Sequence, residues 1–400
     1  MNSKLRKIYN PKQILALKSA ARILVLHGAK RAGKTYILII CFLLLVKKHM
    51  NKKVKFIIGG ASLGTIQSNI LDDMSAILGN DIRLNKHNNF ELFGNTILVR
   101  PGMTSDAWKT VRGFTAYGAL LNEGTALHDK YIKEVISRCS GEGSRILIDT
   151  NPENPSHTIK IDYIDKSGQI LDNGRLNIEA IHFTLEDNVF LDKEYVESIK
   201  LATPSGMFFD RDILGLWVNA QGVIYRDFDE RVNVVDKLED DENIVEYVGG
   251  IDWGFEHYGS IVIVGYTDKG NYYVLEEVTE QHRYVEDYWI PKLQEFSDKY
   301  KGIIYFCDSA RPEYYNLCLD NNLEVFNADK AVVAGIETIS SLFKLNKLRI
   351  IRNATDRMLF EIGNYVWADK IGKEEPVKTN DDSLDALRYA VYTHQVKFVY

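Results

Sequence analysis

The chain has 400 residues, 45% of them hydrophobic and 26% charged, and a formal net charge of -6. This balance excludes a disordered chain, and the length exceeds one ordinary core, pointing to two or three domains. The acidic total excludes a surface that is basic throughout, although a local basic path can still bind phosphates while carboxylates elsewhere hold metal ions.

The start, MNSKLRKIYNPKQ, carries no apolar leader, and the longest apolar run, residues 36–46, is well short of the roughly 20 residues that span a bilayer. Cys41, Cys139, Cys307 and Cys318 are scattered, with no CxxC pair, and read as buried reduced thiols rather than a zinc site. The expectation is a soluble intracellular protein with no membrane partner.

Gln13 precedes the first strand, ARILVLHG, where it is placed to read an adenine. The strand runs into GAKRAGKT (residues 28–35), which matches GxxxxGK[ST] and opens a strongly apolar helix. Gly28 and Gly33 let backbone N–H groups curl around phosphates, and the helix N-terminus adds its partial positive charge. Lys34 is expected on the β- and γ-phosphates of ATP, and the Thr35 hydroxyl on Mg²⁺. Lys30, inside the loop, is the first candidate to stabilise transition-state charge, ahead of Arg31 and Arg112.

Short apolar strands then alternate with helices: KVKFIIGG, TILVRPG, AYGALLNEG and SRILIDTNP. Such alternation predicts an α/β sheet covered on both faces. AYGALLNEG is expected beside the first strand and ends in Asn122 and Glu123. ATPases of this type carry an aspartate near Mg²⁺ and then a glutamate that polarises the attacking water. Here the first place holds uncharged Asn122, and Glu123 can act as the base. At the next strand tip, in DTNPENP, a polar residue such as Asn151 can sense the γ-phosphate.

Residues 227–245, DFDERVNVVDKLEDDENIV with its high charge and few apolar runs, read as a linker. Beyond it, EYVGGIDWGF, GSIVIVGYTDKG and NYYVLEEVTE predict three consecutive antiparallel strands. Alternating strands and helices follow, a ribonuclease H-like pattern. The predicted architecture is therefore an N-terminal P-loop (RecA-like) ATPase domain over residues 1–226 and a ribonuclease H-like nuclease domain over 246–400.

Asp252 ends the strand EYVGGI, Asp308 ends IIYFC, and Asp382 and Asp385 lie one turn apart at the start of the last helix. Carboxylates from three such sources can converge on two Mg²⁺ or Mn²⁺ ions, hard cations that prefer oxygen ligands. Two ions about 4 Å apart would activate water and stabilise the leaving oxygen of a phosphodiester. Asp252, Asp308 and Asp385 are the first candidates; Asp381 rivals Asp382 as the additional ligand. His257 and Glu256 are read as solvated loop residues.

The order GAKRAGKT, ALLNEG, DTNPENPSH, GLWVNAQGVIYRDF, GIDWG (residues 250–254), CDSARP and DDSLDALRYA resembles the large terminase subunits of tailed bacteriophages. The resemblance covers almost the whole chain. It implies ATP-driven movement of double-stranded DNA into a procapsid and endonucleolytic cutting of concatemers. It assigns a coupling role to Asn151 and ends the motor domain at GLWVNAQGVIY. The partners it implies are the terminase small subunit, the portal protein of the procapsid, and copies of the same chain in a ring, with a monomer as the isolated form. The place of action it implies is the host cytoplasm, outside the mature virion. The family often has a histidine where Asp382 stands. Two alternatives stay open: a cellular helicase–nuclease of DNA repair, and a non-catalytic DNA-binding scaffold of the same fold.

Overall fold

In the computed structural model the described residues are 9–308, 310–352, 356–368 and 374–399. The first eight residues, on which the expected absence of a leader rests, and Ser309 of the CDSARP segment lie outside them. The chain divides into two compact units: Met1–Glu197 with Phe209–Asn219, and Ser198–Phe208 with Ala220–Tyr400.

The first unit begins with a short helix α1 (Pro11–Lys18) and contains strands β1 (Ile23–Gly28), β2 (Lys55–Gly60), β3 (Asn89–Leu92), β4 (Asn95–Pro101), β5 (Gly118–Leu121), β6 (Arg145–Thr150) and β7 (Ile178–Phe183). They form one sheet in the order β3-β4-β2-β5-β6-β1-β7. Only the β3–β4 pair is antiparallel. Every residue of β1 is buried, as expected of a central parallel strand covered on both faces. Helix α2 (Lys34–Lys48) packs Ile37, Leu38, Ile39, Phe42 and Val46 into the core. A helix apolar on nearly every side is a buried one, and no described helix is long and apolar enough to cross a membrane. All four cysteines are free and buried.

The sheet order corrects one expectation. β5 does not lie beside β1; β6 separates them and pairs with both. The strand carrying DTNP thus takes the place next to the phosphate loop.

The second unit holds β8 (Val234–Val235), β9 (Ile244–Asp252), β10 (Gly259–Thr267), β11 (Tyr272–Glu280), β12 (Ile304–Cys307), β13 (Val325–Asn327) and β14 (Leu348–Ile351) in the order β13-β12-β9-β10-β11-β14-β8. β9, β10 and β11 form the expected antiparallel meander, and β12 and β14 add in parallel at either side. Such a mixed sheet is ribonuclease H-like. Helix α3 (Asp356–Asn364) and helix α4 (Asp382–Lys397) complete the part that matters for the site.

Residues 227–245 are not a bare connector. Asp229 caps a short helix, Glu230–Asn233, and the two residues of β8 pair with β14. Two apolar residues between charged stretches suffice for an edge strand, too short to stand out in the sequence. Asn233 is buried and donates to the carbonyls of Phe343 and Leu348, fixing the segment to the second unit.

α4 is buried through most of its length, and Gly250 of β9 allows its approach. A Cβ on Gly250 would stand 1.8 Å from the Ala386 carbonyl oxygen. Gly250→Ala is expected to push α4 off β9 and to cost about 1–3 kcal/mol, the usual range for overpacking. Denaturant unfolding measures this; an unchanged midpoint would show that α4 does not need the close contact.

Candidate functional site

Each unit places polar side chains at the C-terminal edge of its sheet, and two sites result. In the first unit the chain leaves β1 at Gly28, with φ of +131°, where a Cβ would collide with the Phe183 carbonyl oxygen at 1.9 Å. The loop returns through Gly33, in the left-handed region at φ 79°, which precedes α2 and makes no side-chain cap. The first N–H groups of α2 therefore have no side-chain cap competing with a phosphate.

Lys34 is 5% exposed, and its ammonium donates to the Gly28 and Ala29 carbonyls at 2.9 and 2.6 Å and to Asn151 Oδ1 at 3.0 Å. Thr35 Oγ1 donates to Asp149 Oδ2 at 2.5 Å. Strand register accounts for these meetings. Leu121 stands opposite Ile148, so Asn122 and Asp149 follow side by side. Asn122 Nδ2 donates to both Asp149 oxygens, at 3.1 and 3.2 Å. Glu123 comes next with φ of 53°, a left-handed conformation in which a non-glycine residue is strained by about 1 kcal/mol. Burial, and then the neighbouring Asp149 charge, raises its pKa above the ordinary carboxylate value. Lys34, Thr35, Glu123, Asp149 and Asn151 all line one cleft of about 660 Å³.

The other predicted residues of this site are near the loop in differing ways. Gln13 is buried in α1. Its Nε2 donates to the Gly33 carbonyl at 3.2 Å, and its Oε1 accepts from the Asn10 backbone at 3.0 Å. Both ends of the amide thus brace the loop and the helix cap, rather than facing outward for a base. Lys30 also lines the cleft and pairs with Asp212 at 2.8 Å. Arg31 sits over the Tyr195 ring, and Arg112 stacks on Trp108. Asp149 is the residue that sequence reasoning misses. It stands two positions before Asn151 in the quoted segment, but nothing in the sequence shows that its strand lies beside the loop.

Burial lowers the Lys34 pKa to about 8, with Asp149 and Asp212 opposing the shift. A phosphate at this position favours the charged form, so bound nucleotide raises that value. Above about pH 8 nucleotide binding is then expected to take up a proton, and affinity to fall as pH rises. Calorimetry in buffers of different ionisation enthalpy reads the uptake. Its absence above pH 8 would show that Lys34 does not meet the phosphates.

In the second unit, β9 and β12 run parallel with Ile251 opposite Cys307, and this register sets Asp252 and Asp308 side by side at the sheet edge. α4 then brings Asp382 and Asp385 to the same place. Burial, followed by the charges of Asp385, Asp382, Asp308 and Asp381, pushes the Asp252 carboxyl well above the ordinary carboxylate range. Asp381 is raised to about 6, by burial and then chiefly by Asp385. All four predicted carboxylates and their rival Asp381 are therefore gathered here.

Cations hold several of them. Arg388 bonds Asp385 at 2.8 Å, Lys378 lies 3.5 Å from both Asp381 and Asp385, and Lys330 pairs with Asp308. His257, expected from the sequence to be a solvated loop residue, lies 3.4 Å from Asp382 and is largely exposed. Among the described residues no three His, Cys, Asp or Glu side chains are spaced as a ready metal cage. The donors are hard oxygens, which suits Mg²⁺ or Mn²⁺. Beside them is a hollow of about 400 Å³ lined by His257, Arg283, Tyr284, Arg311 and Glu256, in which Arg283 lies near Glu280 and Arg311 near Glu313.

Glu361 of α3, which the sequence does not single out, sets the start of α4. It is fully buried and accepts from the Ser383 and Leu384 backbone N–H groups at 2.9 and 3.2 Å, while Arg357 Nε donates to it at 2.8 Å. It caps a helix whose own Asp381 makes no side-chain cap. Glu361→Ala is expected to cost about 1–2 kcal/mol, the range for a lost helix cap. The unfolding midpoint tests this; a loss below about 0.5 kcal/mol would leave the cap without weight.

Residues 25–232 match the model of a family described as terminase large subunit, T4likevirus-type, N-terminal. Among solved structures, the large terminase of a thermophilic bacteriophage in complex with ADP aligns with a TM-score of 0.79 at 24% identity, covering 98% of this chain and 100% of that one. A second crystal form of the same phage protein gives 0.81 at 23%, over 98% and 99%. Its complex with ATP-gamma-S gives 0.77 at 24%, over 96% and 98%. At these identities the likeness establishes the two-part fold. Among curated proteins none matches the chain.

Proposed function

Because the chain belongs to the terminase large-subunit family, we propose that its first unit hydrolyses ATP to drive double-stranded DNA into a procapsid and that its second cuts the DNA with two divalent ions. The observation that carries the first half is the cleft onto which Lys34, Thr35, Glu123 and Asn151 converge. The related phage protein's complexes with ADP and ATP-gamma-S support a nucleotide there. Phosphates would take the open N–H groups of α2 and draw Lys34 away from the Gly28 and Ala29 carbonyls. Asn151 would then lose its present bond to Lys34 and recover it after phosphate release, a local signal suited to coupling. Glu123, with its raised affinity for a proton, is the base for the attacking water.

In the second unit Asp252, Asp308 and Asp385, with Asp381 or Asp382, would hold the ions, and bound divalent metal would supply an activated water and stabilise the leaving oxygen. The packing of like charges around Asp252 supports such a site, since a bound cation relieves the repulsion while leaving the carboxylates ionised. Arg283 and Arg311 would hold the flanking phosphates. Lys330 and Lys378 would yield Asp308 and Asp385 to the metal. The small subunit, the portal and neighbouring copies in a ring are the partners we propose, acting in the host cytoplasm.

The fold weighs against a two-motor helicase, because the second sheet has an antiparallel centre rather than a second parallel motor sheet. Incubation with supercoiled plasmid and Mn²⁺ tests the nuclease. The wild type is expected to nick and linearise it, while Asp252→Ala and Asp308→Ala leave it intact. In parallel, Lys34→Ala should lower ATP turnover by about 10²–10³-fold, as expected for losing a charge-stabilising donor. No cutting with any divalent metal would remove the nuclease half, and a Lys34→Ala protein with full turnover would remove the motor half. Failure of both would favour a scaffold.

A further inference from the structure

In P-loop ATPases Mg²⁺ is held by the loop Ser or Thr and by a second, acidic residue, an aspartate. In this chain the tip of β5 offers Asn122, which carries no charge, and by itself that suggests a weakened motor. The geometry points elsewhere. Asp149, at the tip of β6, is 4% exposed, and Thr35 Oγ1 donates to it at 2.5 Å. The strand order puts β6, not β5, directly beside β1 and the loop.

Asn122 is fixed in a supporting position. Its Nδ2 donates to both oxygens of Asp149, and its Oδ1 accepts from Asn69 Nδ2 at 3.2 Å. That third bond sets the amide orientation, so the NH₂ group must face the carboxylate. A second aspartate at position 122 would place two negative charges in hydrogen-bond contact. An asparagine there instead satisfies the one carboxylate that is present, and a buried carboxylate left without donors is costly.

We propose that Asp149 is the carboxylate that, with Thr35, holds the Mg²⁺ of the bound nucleotide, and that Asn122 is its positioning partner. The acidic function has moved one strand over. The proposal rests on the ATP reading of the loop. Thr35 can donate its proton to Asp149 while a lone pair of the same oxygen faces the ion, so the present hydrogen bond is compatible with metal.

The test is the affinity of a fluorescent methylanthraniloyl-ATP for the full-length protein, measured with Mg²⁺ and with EDTA. The readout is the ratio of the two dissociation constants for each protein. Wild type is expected to bind about tenfold or more tightly with Mg²⁺, a difference of about 1.4 kcal/mol. Asp149→Asn should bring the ratio close to one. The double variant Asn122→Asp, Asp149→Asn returns a carboxylate to the pair and should restore most of the ratio, which a merely structural role for Asp149 would not do.

If Asp149→Asn fails to fold, as judged by its melting transition, Asn122→Asp alone decides. A second carboxylate beside Asp149 should enlarge the wild-type ratio severalfold, and an unchanged ratio overturns the proposal. An Asp149→Asn protein that folds and keeps the wild-type ratio also overturns it, leaving the ATP site in place. Wild type that binds no nucleotide in either buffer overturns the ATP reading and this proposal together.

Discussion

The second unit is organised around negative charge that its own residues only partly neutralise. Asp252 ends a central strand with Asp308 beside it and the start of α4 adding Asp381, Asp382 and Asp385. Two like charges a few Å apart repel by roughly 3 kcal/mol at the effective dielectric of a protein. Such a concentration persists only because the surrounding structure enforces it. Gly250 admits the helix, parallel pairing of β9 and β12 aligns the two strand ends, and Glu361 caps the helix from a neighbouring element. Arg388, Lys378 and Lys330 relieve part of the repulsion from the rim. The field at Asp252 remains dominated by carboxylates.

The first unit solves its charge problem differently. Asp149 is buried but fully engaged, by Thr35 and by both contacts from Asn122. Lys34 is stored on backbone carbonyls and on Asn151. Each of these groups has a partner that phosphate or metal can replace. One site is thus satisfied and waits to exchange partners; the other is strained by like charge and waits for a counter-ion. Both lie at the C-terminal edges of their sheets, where helix starts and loops can present side chains without breaking the strands' hydrogen bonds.

Local signals in the sequence are strong where the chemistry is local. GAKRAGKT needs only eight consecutive residues to describe a phosphate loop, and the structure gives it the expected strand and helix. Asp252, Asp308, Asp382 and Asp385 can be chosen because each ends a strand or opens a helix. What depends on pairing between distant segments is not legible. With β5 expected beside β1, Asn122 reads as a missing acid and Asp149, at the next strand tip, is given no role. Residues 227–245 look like a connector because a two-residue edge strand has no periodicity to detect. Glu361 lies on an ordinary amphipathic helix, and nothing near it announces that it caps another helix about twenty residues away.

The most direct measurement is the melting temperature of the nucleotide-free protein in EDTA and in Mn²⁺, for wild type and Asp252→Asn. At a pH high enough to ionise Asp252, neutralising it removes its share of the like-charge repulsion, so the variant is predicted to melt higher than wild type in EDTA. Mn²⁺ is predicted to raise the wild-type transition and to do much less for the variant, because an ion stabilises only the state that binds it. A wild-type transition indifferent to Mn²⁺, together with a variant that melts lower in EDTA, would contradict the metal site at the centre of this account.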